Sequence, residues 1–464
     1  MAGDGSRGVG TAVASDRRDP GAAERRQPSS DVGATMANLR PVQVRPAGPE
    51  GENMTQRHPR RGRIATAALL AAGILVAACG GDDDTPVATD APVATDAPVA
   101  TDAPVATDAP DAPAEGLAGA EALARVEAFR QPVTELPLGT PVAIESGKKV
   151  FYVQCGVPVC QEIAVGIEAA AAAAGWTYET ASHQDTPDTV ASAFDAAIAA
   201  APDVVLTSGN PREWFAPQLA TLQESGIPVI AWSLPETYEP GEGIDANLLT
   251  QDDYYFYGVL MADYAAATTT TGNILFVGLP TFPVLSIVQE GFEAEIATAC
   301  PTCSVSVSEV AVTDLGTNLP GQIVSALQAD PELDMIVYAF GGMLFGVPDA
   351  LDSAGLLDQA KAVSQAGGPL NFGFITEGRH QVAEVGIASE LLGWRAIDAA
   401  ARVLAGEGPG RAETPTDAVI DGRPDILAGG LPLQILEAGS IADPTALWPG
   451  VDGFQDKFTA LWGL

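Results

Sequence analysis

Basic side chains are scarce: 23 Lys and Arg stand against 60 Asp and Glu in 464 residues, a formal net charge of −37. Eleven of the bases lie in the first 78 residues beside 7 acids, leaving 12 bases against 53 acids and a net charge of −41 for the remainder. A surface of that sign repels nucleic acid and anionic lipid and steers anionic ligands away. Nucleic-acid binding is thereby excluded. Histidine is almost missing. The chain has three, none forms a ligand pair with the cysteines, and no zinc site is expected. There is no Gly-x-Ser-x-Gly elbow, no Walker loop and no Gly-x-Gly-x-x-Gly after a strand. His183 and His380 stand alone, and the carboxylates are too many for any pair to be singled out. No enzyme, metal or cofactor is expected.

Long apolar runs are missing too. Residues 64–78, fifteen without a charge, follow Arg60-Arg61-Gly62-Arg63. As a helix they reach roughly 22 Å, short of the roughly 30 Å hydrocarbon core, and so suit a signal-peptide h-region better than a membrane span. The run closes on Leu75-Val-Ala-Ala-Cys79, which resembles the lipobox of bacterial lipoproteins and is followed by Gly-Gly-Asp-Asp-Asp. The resemblance implies a lipid on Cys79 and an anchor on the outer face of the cell membrane. Residues 54–78 are then the leader. Residues 1–53, without apolar periodicity, are expected to be a disordered extension or a misassigned gene start, with Met54, or alternatively Met36, the true start.

Five cysteines less Cys79 leave Cys155, Cys160, Cys300 and Cys303. An even number in an exported chain suggests two disulfides with three possible connectivities, of which the local pairs Cys155–Cys160 and Cys300–Cys303 are the simplest. Cys300-Pro-Thr-Cys303 follows a helix and precedes a strand. A redox Cys-x-x-Cys usually opens a helix, so a structural staple is expected here.

What is abundant is order of another kind. From Val87 to Pro110 the hexapeptide Val-Ala-Thr-Asp-Ala-Pro occurs four times unchanged. Proline every sixth residue blocks helix and ladder alike, so residues 79–116 read as an extended tether, about thirty residues of which reach roughly 90 Å at full stretch. Residues 117–129 are a short amphipathic helix candidate of no evident role. Beyond residue 148, strands and helices alternate. Strands are expected at 149–154, 177–182, 203–208, 228–232, 273–277, 305–312, 335–339 and 371–375. Helices are expected at 161–174, 189–200, 214–225, 254–267, 287–299, 321–329, 347–354 and 391–405. Such alternation implies right-handed βαβ units on parallel sheets, and roughly 320 residues of it suit two lobes rather than one core.

Several segments carry a resemblance to the type I periplasmic-binding-protein family, the ribose- and galactose-binding-like solute receptors of ABC importers. They are Asp203-Val-Val-Leu-Thr-Ser208, Ser225-Gly-Ile-Pro-Val-Ile-Ala231, Gln251-Asp-Asp253, Gln289-Glu-Gly-Phe292, Pro331-Glu-Leu-Asp-Met-Ile336 and Gly373-Phe374. The resemblance spans about Lys148 to Glu407. It implies two Rossmann-like α/β lobes joined by a three-strand hinge: residues 146–248 with 388–423, and 249–387 with 424–440, followed by a tail at 441–464. Crossings are expected near Leu248, near Ala388 and after Arg423. It also implies a tethered monomer that delivers a small molecule to permease and ATPase subunits.

Where sugar-binding members hold Asn-Asp after the second lobe's central strand, this chain reads Phe340-Gly341. Their binding arginine falls on Ser286, and their strand-end aspartate is replaced within Ile375-Thr376-Glu377 unless Glu377 has taken its place. Losing those groups points toward a neutral ligand, sugar-like or more apolar. Strand-end residues are the candidate contacts. Those singled out are Gln154, Ser208, Asn210, Trp232, Asp253, Tyr254, Phe282, Phe340 and Glu377, with Cys155 to Pro158, Trp214, Ser233, Gln251 and Thr281 beside them. A sensory receptor for a membrane signalling partner would use the same cleft and is the alternative.

Overall fold

Strand β1 (Lys149–Gln154) shows why the first sheet needs cover on both faces. Val150 and Tyr152 point one way and Phe151 and Val153 the other, as the two-residue period of a strand dictates, and all four are buried. The first pair joins a core with Ile163 and Ile167 of α2 (Pro158–Ala173); the second joins Val190 and Phe194 of α3 (Pro187–Ala200). The computed structural model describes residues 116–236, 241–408, 427 and 429–464. The leader, Cys79, the repeat tether and the stretch around Arg423 lie outside them.

The first sheet adds β2 (Thr177–Ser182), β3 (Val204–Ser208), β4 (Val229–Trp232) and β5 (Ala246–Asn247), in the order β2-β1-β3-β4-β5, all parallel. Helix α4 (Ala216–Glu224) connects β3 and β4. The second sheet comprises β6 (Asn273–Gly278), β7 (Ser304–Glu309), β8 (Leu333–Tyr338), β9 (Lys361–Gln365), β10 (Gln381–Val385) and β11 (Ile435–Leu436). Its order is β11-β10-β9-β8-β6-β7, parallel except for β11. Its helices are α5 (Gln251–Thr268), α6 (Pro283–Ala299), α7 (Leu319–Ala329), α8 (Val347–Ala354) and α9 (Pro369–Glu377). Both lobes place their least buried strand, β2 and β7, at a sheet edge, where four of the six residues are exposed. This is the expected fold class: two α/β lobes on parallel sheets.

Helix α10 (Ser389–Leu404) returns to the first lobe and packs on α2. The two helices meet through Gly166 and Gly393, where a Cβ would collide with the facing backbone. Helices α5 and α6 meet in the same way through Gly258 and Gly291. The chain passes between lobes after β5, again at Ile387 after β10, and back to β11. Helix α1 (Ala120–Phe129), which had no evident role, lies on α5 with Phe129 edge-on to Phe256 at 5.4 Å. Helix α11 (Phe454–Leu461), within the expected tail, docks on α10.

One expected strand is a helix. Residues 371–375 lie inside α9, which Pro369 opens at its first turn, and buried Phe372 and Ile375 share a face by helical spacing. Two true strands, β9 and β10, flank it and were not anticipated.

Candidate functional site

The carboxyl ends of the two sheets meet around a cavity with about 650 Å³ of empty space, counting its open mouth. The first lobe contributes the loop after β1, with Cys155 and Val157, then Val159 and Ile163 of α2, Ser208 at the end of β3, and Trp232-Ser233 at the end of β4. The second contributes Tyr254 of α5, Phe282, Val284 and Leu285 at the start of α6, Phe340 after β8, and Gln365-Ala366 at the end of β9. Helix α6 starts here because Pro283 occupies its first turn.

Backbone geometry marks the same place. Among the described residues, five that are not glycine have positive φ, and three of them line the cavity: Asp185 (54°), Ser233 (61°) and Ala366 (54°). Ser233 and Ala366 occupy equivalent positions, each the first residue past a central strand. Such conformations cost a side-chain-bearing residue of order 1–3 kcal/mol and cluster at functional sites.

Few polar groups face the cavity, and most are engaged. Ser233 Oγ and Tyr254 Oη share one hydrogen bond at 2.6 Å, and burial pushes the Tyr254 phenol up to about 12. Asp185 accepts from the Gly156 amide at 3.3 Å, and its other oxygen lies 3.3 Å from His183 Nδ1 without a directed hydrogen bond. Ser208 Oγ is 3.7 Å from Cys160 Sγ. Gln365 donates from Nε2 to the Ala339 carbonyl at 2.8 Å, and its Oε1 has no partner. No lysine, arginine or histidine lines the cavity.

Of the residues singled out from sequence, Ser208, Trp232, Tyr254, Phe282 and Phe340 come together here, with Cys155, Val157 and Ser233. The others do not line it. Gln154 is buried at the end of β1, accepting from Thr180 Oγ1 at 3.2 Å. Asn210 turns back to the Ser208 carbonyl at 2.9 Å. Asp253 is spent on the α5 N-terminus, accepting from the Thr250 amide at 2.7 Å. Glu377, the last residue of α9, is exposed, because its segment is a helix and not a strand ending at the cleft. Trp214 packs with the α3–α4 core, Gln251 donates to the Pro235 carbonyl, and Thr281 is exposed. Sequence reasoning missed Ile163, Val284, Leu285, Gln365 and Ile387. Gln365 could be found only by recognising β9 as a strand.

Cys155 pairs with Cys160 and Cys300 with Cys303, at Cα separations of 5.7 and 5.4 Å. The first pair forms cavity wall; the second lies behind α6. Beside the cavity, Glu162 of α2 crosses to the second lobe and rests against Gly368. Burial raises its carboxyl to about 7, against a bond from Ser389. Glu384 of β10 is fully buried, accepting from Ser364, Gln381 and the Gly367 amide. Burial pushes it up to about 8, and the charge of Glu162 adds to the rise.

Residues 150–408 match the family model of the periplasmic binding protein domain. Solved structures give the same fold. An ABC transporter solute-binding protein from Agrobacterium vitis, bound with alpha-D-tagatopyranose, shares 18% identity over 64% of this chain and 97% of its own, with a TM-score of 0.54. A 5-methylthioribose transporter solute-binding protein from Thermotoga lettingae shares 16% over 70% and 95%, TM-score 0.54. A glucose-galactose binding protein from Geobacillus stearothermophilus shares 17% over 64% and 99%, TM-score 0.52. No curated protein sequence matches the chain. At such identities the likeness is one of fold.

Proposed function

Because the chain belongs to the type I periplasmic-binding-protein family, whose members are extracytoplasmic solute-binding proteins and not enzymes, we propose that it is the lipid-anchored solute receptor of an ABC-type importer. The observation that carries this is the cavity, whose wall is built half from each lobe around the carboxyl ends of both sheets. A wall divided this way is complete only when the lobes are together. A ligand that binds the closed form better than the open one shifts the population toward closure, and closure is what a permease can read. The ligand in this reading is small and neutral, sugar-like or more apolar, since no base lines the cavity to hold an anion.

In the same reading Cys79 carries the lipid, the repeat tether lifts the lobes off the membrane, and the protein works as a monomer with both cysteine pairs oxidised. Replacing Cys79 with serine should release the protein into the medium and abolish metabolic labelling with radioactive palmitate. Disrupting the gene should abolish uptake of whichever compound the purified protein binds. Unchanged uptake together with a lost transcriptional response to that compound would instead assign the receptor to signalling.

A further inference from the structure

Beside the cavity, carboxyl groups from opposite lobes meet at one loop. Glu162 of α2 lies against the Gly367-Gly368 turn of the second lobe, where a Cβ on Gly368 would stand 2.1 Å from its Oε1. On its own lobe, Ser389 Oγ at the start of α10 donates to Glu162 at 3.3 Å. The same turn touches Glu384 of β10, where a Cβ on Gly367 would stand 2.7 Å from its Cδ. Glu384 is held by donors of its own lobe, Ser364, Gln381 and the Gly367 amide. Among the described residues no lysine, arginine or histidine pairs with either acid. Other titratable groups on the elements around Glu162 are engaged elsewhere. Glu390 of α10 accepts from Gln455 at 3.2 Å, and Lys149, at the far end of β1, pairs with Glu179 at 3.2 Å. His183 and Asp185, past β2, face each other at 3.3 Å, and Glu377 ends α9 exposed.

Parting the lobes would take Glu162 away from Gly368 and return its carboxyl to water. Bringing them together presses it on glycine backbone toward a second acid, and both changes disfavour its charge. Burial raises the carboxyl to about 7, and its charge in turn raises Glu384. The positive end of α2 favours the charged form, but it is present in both states and cancels from the difference. We propose that lobe closure takes up one proton at Glu162, so that acid favours the closed form and a rise in pH opens it. The inference rests on the solute-receptor reading, in which the lobes part and close, and adds a control to it. Near pH 4.5 and below, both forms hold the proton. Between there and about 7 only the closed form does, so the closed-to-open ratio falls with rising pH and then levels off.

Distance measurement between two spin labels on the full chain tests this without a ligand. Labels on non-canonical residues at Gln184, past β2, and Thr281, past β6, use exposed positions at the carboxyl ends of the two sheets and avoid the cysteines. From pH 8 to pH 5 the ratio of short to long separations should rise ten times or more. Glu162→Gln should hold the ratio near its acid level at both pH values. Should that variant fail to fold, Ser389→Ala serves instead: it removes a bond that favours the charge and should move the fall to higher pH. A ratio that stays constant from pH 5 to 8, or one that changes as much in Glu162→Gln, would overturn the inference. Either result leaves the solute-receptor reading intact, since that reading falls only if gene disruption leaves uptake of the bound compound unchanged.

Discussion

Each lobe ties one end of the described chain to its central helix through a buried aspartate, but the two ties have opposite charge balance. In the first lobe, Asp398 of α10 accepts from Arg395 at 3.1 Å, from Arg402 at 3.0 Å and from Trp462 Nε1, beyond α11, at 2.9 Å. In the second, Arg125 of α1 reaches both Asp263 of α5 and Glu295 of α6. One buried acid therefore serves two bases in the first lobe, with only the exposed Glu407 besides, 3.9 Å from Arg402, while one base serves two acids in the second. The first tie depends on a single buried carboxylate. The second has a spare.

The comparison breaks most sharply at that group. Asp398→Asn leaves two buried guanidiniums without their carboxylate and should cost about 3–5 kcal/mol in denaturant unfolding. Asp263→Asn should cost clearly less, because Glu295 remains to hold Arg125. Equal losses would show that the spare acid contributes nothing. Next in size is pH. Glu384 of the second lobe has its folded pKa raised to about 8 and Glu162 of the first to about 7, both above the unfolded value of 4.5. In both, the unfolded chain releases its proton first, so stability is fully present below pH 4.5 and is lost as pH rises through 7 to 8. Between pH 5 and 8 Glu384 alone should account for about 3 kcal/mol of decline. Glu384→Gln should flatten the melting-temperature profile more than Glu162→Gln does.

The glycine crossings test the likeness of the lobes. Gly393→Ala and Gly291→Ala each drive a Cβ into facing backbone, and each should cost up to about 3 kcal/mol by thermal unfolding. The smallest effect separates the cysteine pairs. Both close short loops, so replacing either pair by serine should cost about 2 kcal/mol. Only the loss of Cys155–Cys160, which is cavity wall, should also weaken ligand binding by calorimetry. A binding loss from the Cys300–Cys303 change would contradict that division.

The first lobe was more legible than the second, for a physical reason. Strands β1 and β2 were read to their observed ends because their neighbours are Ala-rich helix and glycine stop. Strands β9 and β10 were missed because they bury polar side chains against each other. Ser364, Gln365, Gln381 and Glu384 have no exposure, and Ser364 and Gln381 both donate to Glu384. A buried polar pair of strands has no apolar signature. The short run Asn371–Ile375 instead reads as a strand, since a few apolar residues cannot distinguish strand from buried helix. That reading puts Glu377 at a strand end and hides Gln365.

Alternation of apolar strands and helices in the chain is enough to require parallel sheets covered on both faces, and two such sets are enough to require two lobes. Residue order likewise dictates that Trp232 and Phe340 stand at strand ends, because a strand's end is local. Which strand ends share one cavity is decided by long-range packing. Ser233 spends its hydroxyl on Tyr254, and Gln365 gives its amide to Ala339 and keeps its carbonyl. Hydrogen-bonding capacity belongs to a side chain, but what is left over for a ligand depends on neighbours that only the folded chain brings near.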